Sequence, residues 1–155
     1  MAQLKEGESA PVFSGKDQDG KTVSLADYKG KKVILYFYPK DDTPGCTAEA
    51  CNLRDNYEGL LSRGFVIIGV SPDSEKSHTK FKSKYTLPFS LIADPDTTII
   101  KEYGAWGEKK MLGRSYMGVL RTTYVIDEKG KIIKTFTKVD TQNHTQQILT
   151  ELGIN

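Results

Sequence analysis

Apolar and polar residues follow two rhythms along this chain. Around Val33 to Tyr38, "KKVILYFYP" is a continuous apolar and aromatic run, and "FVIIGVS" from Phe65 to Ser71 repeats it. Runs of this kind mark strands buried on both faces. Between them, Ala50, Leu53, Tyr57, Leu60 and Leu61 recur at the helical period, which predicts a helix of about five turns with Gly64 as its stop. Strand, helix and strand at this spacing form a βαβ unit with parallel strands and a right-handed crossover.

The pattern continues in shorter pieces. "DSEKSHTKFKSKY" predicts a second helix capped by Asp73 or Ser74, and "PFSLIAD" a short strand after Pro88. "RTTYVID" and "KIIKTFT" flank "EKG" as a hairpin, and "TQNHTQQILTELG" closes the chain as a helix ended by Gly153. Nearer the start, "DQDGKTVSL" predicts a small hairpin turning at Asp19 and Gly20. Trp106 and the following "GEKK" read as a loop, the acidic pair Asp41 and Asp42 as a solvated turn, and His78 and His144, in polar helical stretches, as surface histidines. A parallel βαβ half followed by an antiparallel ββα half, with helices on both faces of one central mixed sheet, is a thioredoxin-like α/β fold with an N-terminal hairpin extension. Without repeat, linker or low-complexity segment, residues 1–155 read as one domain.

Charge narrows the function. The 22 Lys and Arg are interleaved with 20 Asp and Glu, which argues against nucleic acid or a membrane surface as partner. "MAQLKEGESAPVF" lacks the apolar centre of a secretory signal and no run reaches membrane-spanning length, so a cytoplasmic protein is expected. Two cysteines in that compartment are ordinarily reduced, which makes a transient, catalytic disulfide better founded than a structural one.

Both cysteines stand in "YPKDDTPGCTAEAC". Thr43 suits a helix N-cap, Pro44 the first helical position, and Cys46 then falls at N3. There its sulfur meets unpaired backbone N–H groups and the positive end of the helix dipole, which favour thiolate over thiol. A helix end is worth about 2 kcal/mol at best, whereas lowering a thiol's pKa by two to three units takes roughly 3–4 kcal/mol. A further donor or cation is required. The Thr43 hydroxyl is one candidate; Arg121, which opens an interior strand and needs an anionic partner if buried, is the other. Arg54 and Arg63, on the helix itself, read as solvated surface.

Five residues along a helix separate Cα atoms by roughly 8–9 Å, beyond the ~7 Å limit of a disulfide. The intact helix therefore forbids a Cys46–Cys51 bond. Oxidation of Cys46 to a sulfenic acid, local melting and attack by Cys51 would form one, which is peroxidase chemistry with a resolving thiol. Two other classes stay open on these residues. A copper-binding assembly protein needs cysteines on one helical face, four apart; a redox-sensing interaction module would change a surface rather than clear peroxide.

Pro39 to Cys46, "PKDDTPGC", follows the Pro-x-x-x-Thr-x-x-Cys motif, and the sequence resembles the peroxiredoxins, specifically the bacterioferritin comigratory protein or PrxQ type, over nearly its whole length. The resemblance implies that Cys46 is the peroxidatic cysteine, that Arg121 in "GVLRTTYVID" activates thiolate and peroxide, and that Glu49 in "CTAE" orients the arginine. It further implies that Thr43 fills the motif's threonine place, that Pro39 shields the sulfur, and that Cys51 resolves. It implies reduction of hydrogen peroxide and organic hydroperoxides without metal or organic cofactor, with recycling by thioredoxin or a similar dithiol donor. A monomer is expected, with a weak dimer as the alternative.

Overall fold

The two apolar runs lie side by side in the middle of a seven-stranded sheet. The computed structural model describes residues 3–154. Its strands in chain order are β1 (Ser14–Lys16), β2 (Thr22–Ser24), β3 (Lys32–Phe37), β4 (Phe65–Ser71), β5 (Ser90–Ala93), β6 (Trp106–Met111), β7 (Arg114–Val119), β8 (Thr122–Ile126) and β9 (Ile132–Phe136). The sheet runs β2-β1-β5-β4-β3-β8-β9, with β6 and β7 apart as a two-stranded ribbon. β3 pairs parallel with β4, and β4 parallel with β5, while β8 and β9 run antiparallel to their neighbours. This is the mixed thioredoxin-like sheet, and the N-terminal hairpin joins it at one edge through β1 and β5.

Every residue of β4 is buried, as the unbroken apolar run requires. Val33, Leu35 and Phe37 of β3 face one layer, with Ile99, Ile100 and Tyr103 of α4 (Thr98–Glu102) and the turn that ends it. Ile34 and Tyr36 face the other, which holds Leu53 of α1 (Pro44–Asp55), Leu60 of α2 (Tyr57–Ser62), Phe81 of α3 (Glu75–Tyr85) and Ile148 of α5 (His144–Glu151). Each such buried side chain contributes about 1.5–3 kcal/mol relative to exposure. Ser74, one of the two capping candidates, accepts from the Ser77 N–H at 3.1 Å and starts α3.

Two features depart from the sequence pattern. The long helix is broken at Asn56, whose side-chain amide donates to the Asn52 carbonyl at 2.8 Å and whose backbone leaves the helical region. The break rotates the last turn, so Leu60 is buried while Leu61 is 41% exposed. Trp106 and "GEKK" form strand β6 rather than a loop, paired with β7 across a turn at Leu112 and Gly113, both with positive φ. The ribbon mixes charged residues with exposed Met111, Tyr116 and Met117 without a period-2 pattern, and its turn lacks the Asn-Gly or Asp-Gly signal, which hid it from periodicity.

Gly69 on β4 permits close packing: a Cβ there would lie 2.9 Å from both Leu91 Cδ2 and Tyr36 Cζ. Gly69→Ala is expected to destabilise by about 1–3 kcal/mol. Gly59→Ala, on α2 with nothing within 4 Å of the new methyl, should instead gain about 0.5–1 kcal/mol. Urea denaturation of the two variants checks the contrast.

Candidate active site

Sheet register brings the site together. Phe37, the last residue of β3, pairs with Thr122, the first of β8. The chain leaving β3 toward α1 and the chain entering β8 therefore sit side by side, and Arg121, immediately before Thr122, points at the first turn of α1. Its Nη2 lies 3.4 Å from Cys46 Sγ, and its Nη1 donates to Glu49 Oε1 at 2.8 Å. Glu49 follows Cys46 by three residues and so shares its face of the helix. Gly45 leaves the room: a Cβ on it would approach Arg121 Nη2 to 3.2 Å.

Cys46 is at N3 and 1% exposed, packed in the layer with Tyr36, Ala50 and Leu53. Thr43 is the N-cap through its backbone, extended at φ −100° and ψ 156°, and its carbonyl accepts the Thr47 N–H at 2.8 Å. Its hydroxyl makes no capping bond and donates instead to the Lys40 carbonyl at 2.8 Å. Pro39 lies half-buried just beyond β3. Cys51 is half-buried, and both thiols are free. Burial pushes the Cys51 thiol up, Arg54 draws it down and Asp55 adds to the rise. Arg54 is less solvated than its sequence position suggests, since its Nη1 donates to the Tyr85 carbonyl at 2.8 Å.

Electrostatics around Arg121 are set by competition. Burial raises the Glu49 carboxyl to about 7, outweighing the lowering effect of the guanidinium beside it. For Arg121 burial acts downward, but Cys46 and Glu49 together hold it above its ordinary value. Glu49 has its second oxygen, Oε2, buried without a hydrogen-bond partner among the described residues.

Three expectations are corrected here. Asp41 is not in a solvated turn: it is buried, and its carboxylate accepts from Tyr38 Oη at 2.6 Å and Ser77 Oγ at 2.7 Å. His78 is not a surface residue: it is fully buried, with Nδ1 2.7 Å from Asp41 Oδ2 and Nε2 2.9 Å from the Ile92 carbonyl. Asp73 Oδ2 also accepts the Asp41 N–H at 2.8 Å. Asp41, Asp73 and His78 offer ligand atoms within 4.8 Å of one another, but these hydrogen bonds already engage them and pin the loop before Cys46 onto α3. Asp42, exposed and at φ 57°, completes the attachment through Lys84 and Tyr85 at 2.8 Å each.

The third correction is His144, buried at the start of α5, with Nε2 2.8 Å from Thr123 Oγ1 and 3.6 Å from Glu49 Oε2. Burial lowers it to about 4, so its ring is neutral at ordinary pH. Sequence reasoning also passed over Asn52. Its Oδ1 accepts the Thr145 N–H at 2.8 Å and its Nδ2 donates to Gln142 O and Gln146 Oε1 at 3.1 Å each, capping α5 from α1. Polar residues in a polar helical stretch carry no signal of such tertiary partners.

Residues 7–135 match the model of the AhpC/TSA family. The chain belongs to that family. It is 47% identical over 149 residues to a putative Bcp peroxiredoxin of Coxiella burnetii, covering 96% of this chain and 99% of the relative. A cysteine-to-serine mutant of Xylella fastidiosa PrxQ superposes with a TM-score of 0.91 at 27% identity, covering 99% and 98% of the two chains. A Xanthomonas campestris bacterioferritin comigratory protein, described for alkyl peroxide reduction activity, superposes with a TM-score of 0.86 at 28% identity, covering 94% and 98%. The chain is thus a peroxiredoxin of the Bcp/PrxQ type, a peroxidase that uses a thiol. No helix among the described residues is long and apolar enough to cross a membrane.

The buried pair predicts a stability signature. Glu49, raised to about 7, contributes stability that is present below about pH 4.3 and lost as pH rises through 7. His144, lowered to about 4, contributes stability that is present above about pH 6.5 and lost as pH falls through 4. The two slopes oppose each other over one window, each about 3 kcal/mol across it. Urea midpoints between those limits should therefore vary little in the wild type, fall toward acid in Glu49→Gln, and fall toward neutrality in His144→Asn.

Proposed function

We propose that Cys46 is the thiol that attacks peroxide and Cys51 the thiol that resolves it. The observation that carries this reading is the 3.4 Å contact between Cys46 Sγ at the first turn of α1 and Arg121 Nη2, itself held by Glu49. The Cys46 thiolate attacks the terminal peroxide oxygen; the O–O bond breaks, the leaving oxygen takes a proton from solvent and departs as alcohol or water, and a sulfenic acid remains. Arg121 binds the developing negative charge, acting where binding changes most on the way to the transition state. Glu49 orients the guanidinium, Thr43 starts the helix that presents the sulfur, and Pro39 shields it from water.

Resolution needs α1 to unwind, because its geometry keeps Cys46 and Cys51 apart. Attack of the Cys51 sulfur on the sulfenic sulfur then expels water and forms the disulfide, which thioredoxin or a similar dithiol donor in the cytoplasm reduces. The break at Asn56 limits the melting segment to α1. The substrates are hydrogen peroxide and organic hydroperoxides; the alkyl peroxide activity described for the Xanthomonas relative supports the second class.

Stopped-flow oxidation should show rapid consumption of peroxide by the wild type and only background reaction in Cys46→Ser; equal rates would remove the assignment. Peptide mapping after one equivalent of peroxide should give a Cys46–Cys51 link, and a persistent sulfenic acid or a cross-linked dimer would contradict it. Because Asn52 ties α1 to α5, Asn52→Ala should leave oxidation unaffected and speed disulfide formation about fivefold, the equivalent of a cap worth about 1 kcal/mol. Rapid-quench mass spectrometry separates the two steps.

A further inference from the structure

The hydrogen atoms around His144 can be assigned from its neighbours. Gln147 Nε2 donates to the Lys138 carbonyl at 2.8 Å and its Oε1 accepts the Asp140 N–H at 2.9 Å, so the amide has one orientation. His144 Nδ1, 2.9 Å from that Oε1, must therefore carry a proton. In the neutral ring Nε2 is then a lone pair. It accepts the Thr123 hydroxyl at 2.8 Å and faces Glu49 Oε2 at 3.6 Å, the oxygen without a partner.

An ionised Glu49 leaves that buried oxygen bare and opposite a lone pair. A proton on Oε2 removes the bare buried charge and its repulsion with the lone pair, although Nε2, already accepting from Thr123, takes no hydrogen bond from it. We propose that the neutral His144 ring, which turns no N–H toward Oε2, keeps a proton on Glu49 behind Arg121, and that this proton's presence sets how strongly the guanidinium acts on Cys46, making His144 a positioning residue for the reaction. The inference rests on the assignment of Cys46 as the attacking thiol. With the proton in place Glu49 is neutral, and the positive charge of Arg121 is directed at the sulfur and the peroxide. Without it, the carboxylate takes its share of that charge.

The surrounding charges agree. Glu49 is faced by Arg121 from the entry to β8, His144 from α5, Cys46 on its own helix and the Tyr36 hydroxyl from β3, itself buried without a hydrogen-bond partner among the described residues. His144 is faced in addition by Asp140, whose attraction for a proton is outweighed by burial. A carboxyl raised to about 7 places the change within the physiological range.

The test is the rate of Cys46 oxidation by hydrogen peroxide per thiolate, the thiolate followed by its ultraviolet absorbance, over about pH 5.5–8.5. In the wild type this normalised rate should fall about tenfold as pH rises through the Glu49 titration. Glu49→Gln should abolish the fall. His144→Asn, whose amide can donate to Oε2 and favour the carboxylate, should move its midpoint down by about one pH unit. A flat wild-type profile, a fall retained in Glu49→Gln, or an unmoved midpoint in His144→Asn overturns the proposal. Nitrogen-15 NMR of the wild-type ring decides independently of any variant's folding: Nδ1–H, which leaves no donor facing Oε2, supports the proposal, and Nε2–H overturns it. If Cys46 does not react with peroxide at all, the functional assignment falls, while the tautomer still decides whether His144 can keep Glu49 protonated.

Discussion

One guanidinium serves two partners in this protein, and the surrounding architecture is arranged to permit it. Arg121 reaches Cys46 Sγ with one nitrogen and Glu49 Oε1 with another. Withdrawing a guanidinium from water is unfavourable unless its donors are matched, so the pair Cys46 and Glu49 has to be held rigidly on one helical face. The spacing of three residues on α1 does this, and Gly45 keeps the approach clear of a side chain. Glu49 is entirely buried and carries much of the desolvation penalty, visible in its raised carboxyl pKa. The thiol thus sits opposite a charge whose other partner is reluctant to be charged.

Rigidity and release are divided along the same helix. Ahead of Cys46 the chain is pinned to α3, with Asp41 on Ser77 and His78, and Asp42 on Lys84 and Tyr85. Behind Cys51 the helix stops at Asn56, and Asn52 binds it to the start of α5. The segment bearing both sulfurs is therefore bounded by firm attachments at one end and a backbone break at the other. In the proposed cycle such a helix would open locally without disturbing the sheet that positions Arg121.

His144 links these two themes. It lies at the start of α5, where Asn52 caps the helix, and it also stands behind Glu49. The contacts that hold α1 against α5 and those that govern the charge on Arg121 share one seam. In the proposed cycle, unwinding of α1 after oxidation of Cys46 would carry Glu49 away from both Arg121 and His144 and so dismantle the arrangement around the sulfur.

Much of this was local and therefore readable along the chain. The buried parallel strands, the helix start at Thr43 and Pro44, Cys46 at N3 and the geometric separation of Cys51 all follow from neighbours a few residues apart, because strand and helix periods are short-range properties. Arg121 was nameable as a candidate through its motif, but its 3.4 Å approach to sulfur arises from the pairing of Phe37 with Thr122, two residues far apart along the chain. Burial of Asp41, His78 and His144 was invisible because polar residues in polar stretches reveal nothing of the surface packed over them. The β6–β7 ribbon escaped because its apolar residues do not alternate regularly with its polar ones and its turn is Leu-Gly. Local hydrogen bonding and hydrophobic period were determined by the sequence alone; which buried oxygen meets which ring nitrogen was decided only when distant segments closed on one another, since that depends on three-dimensional proximity and on the exclusion of water.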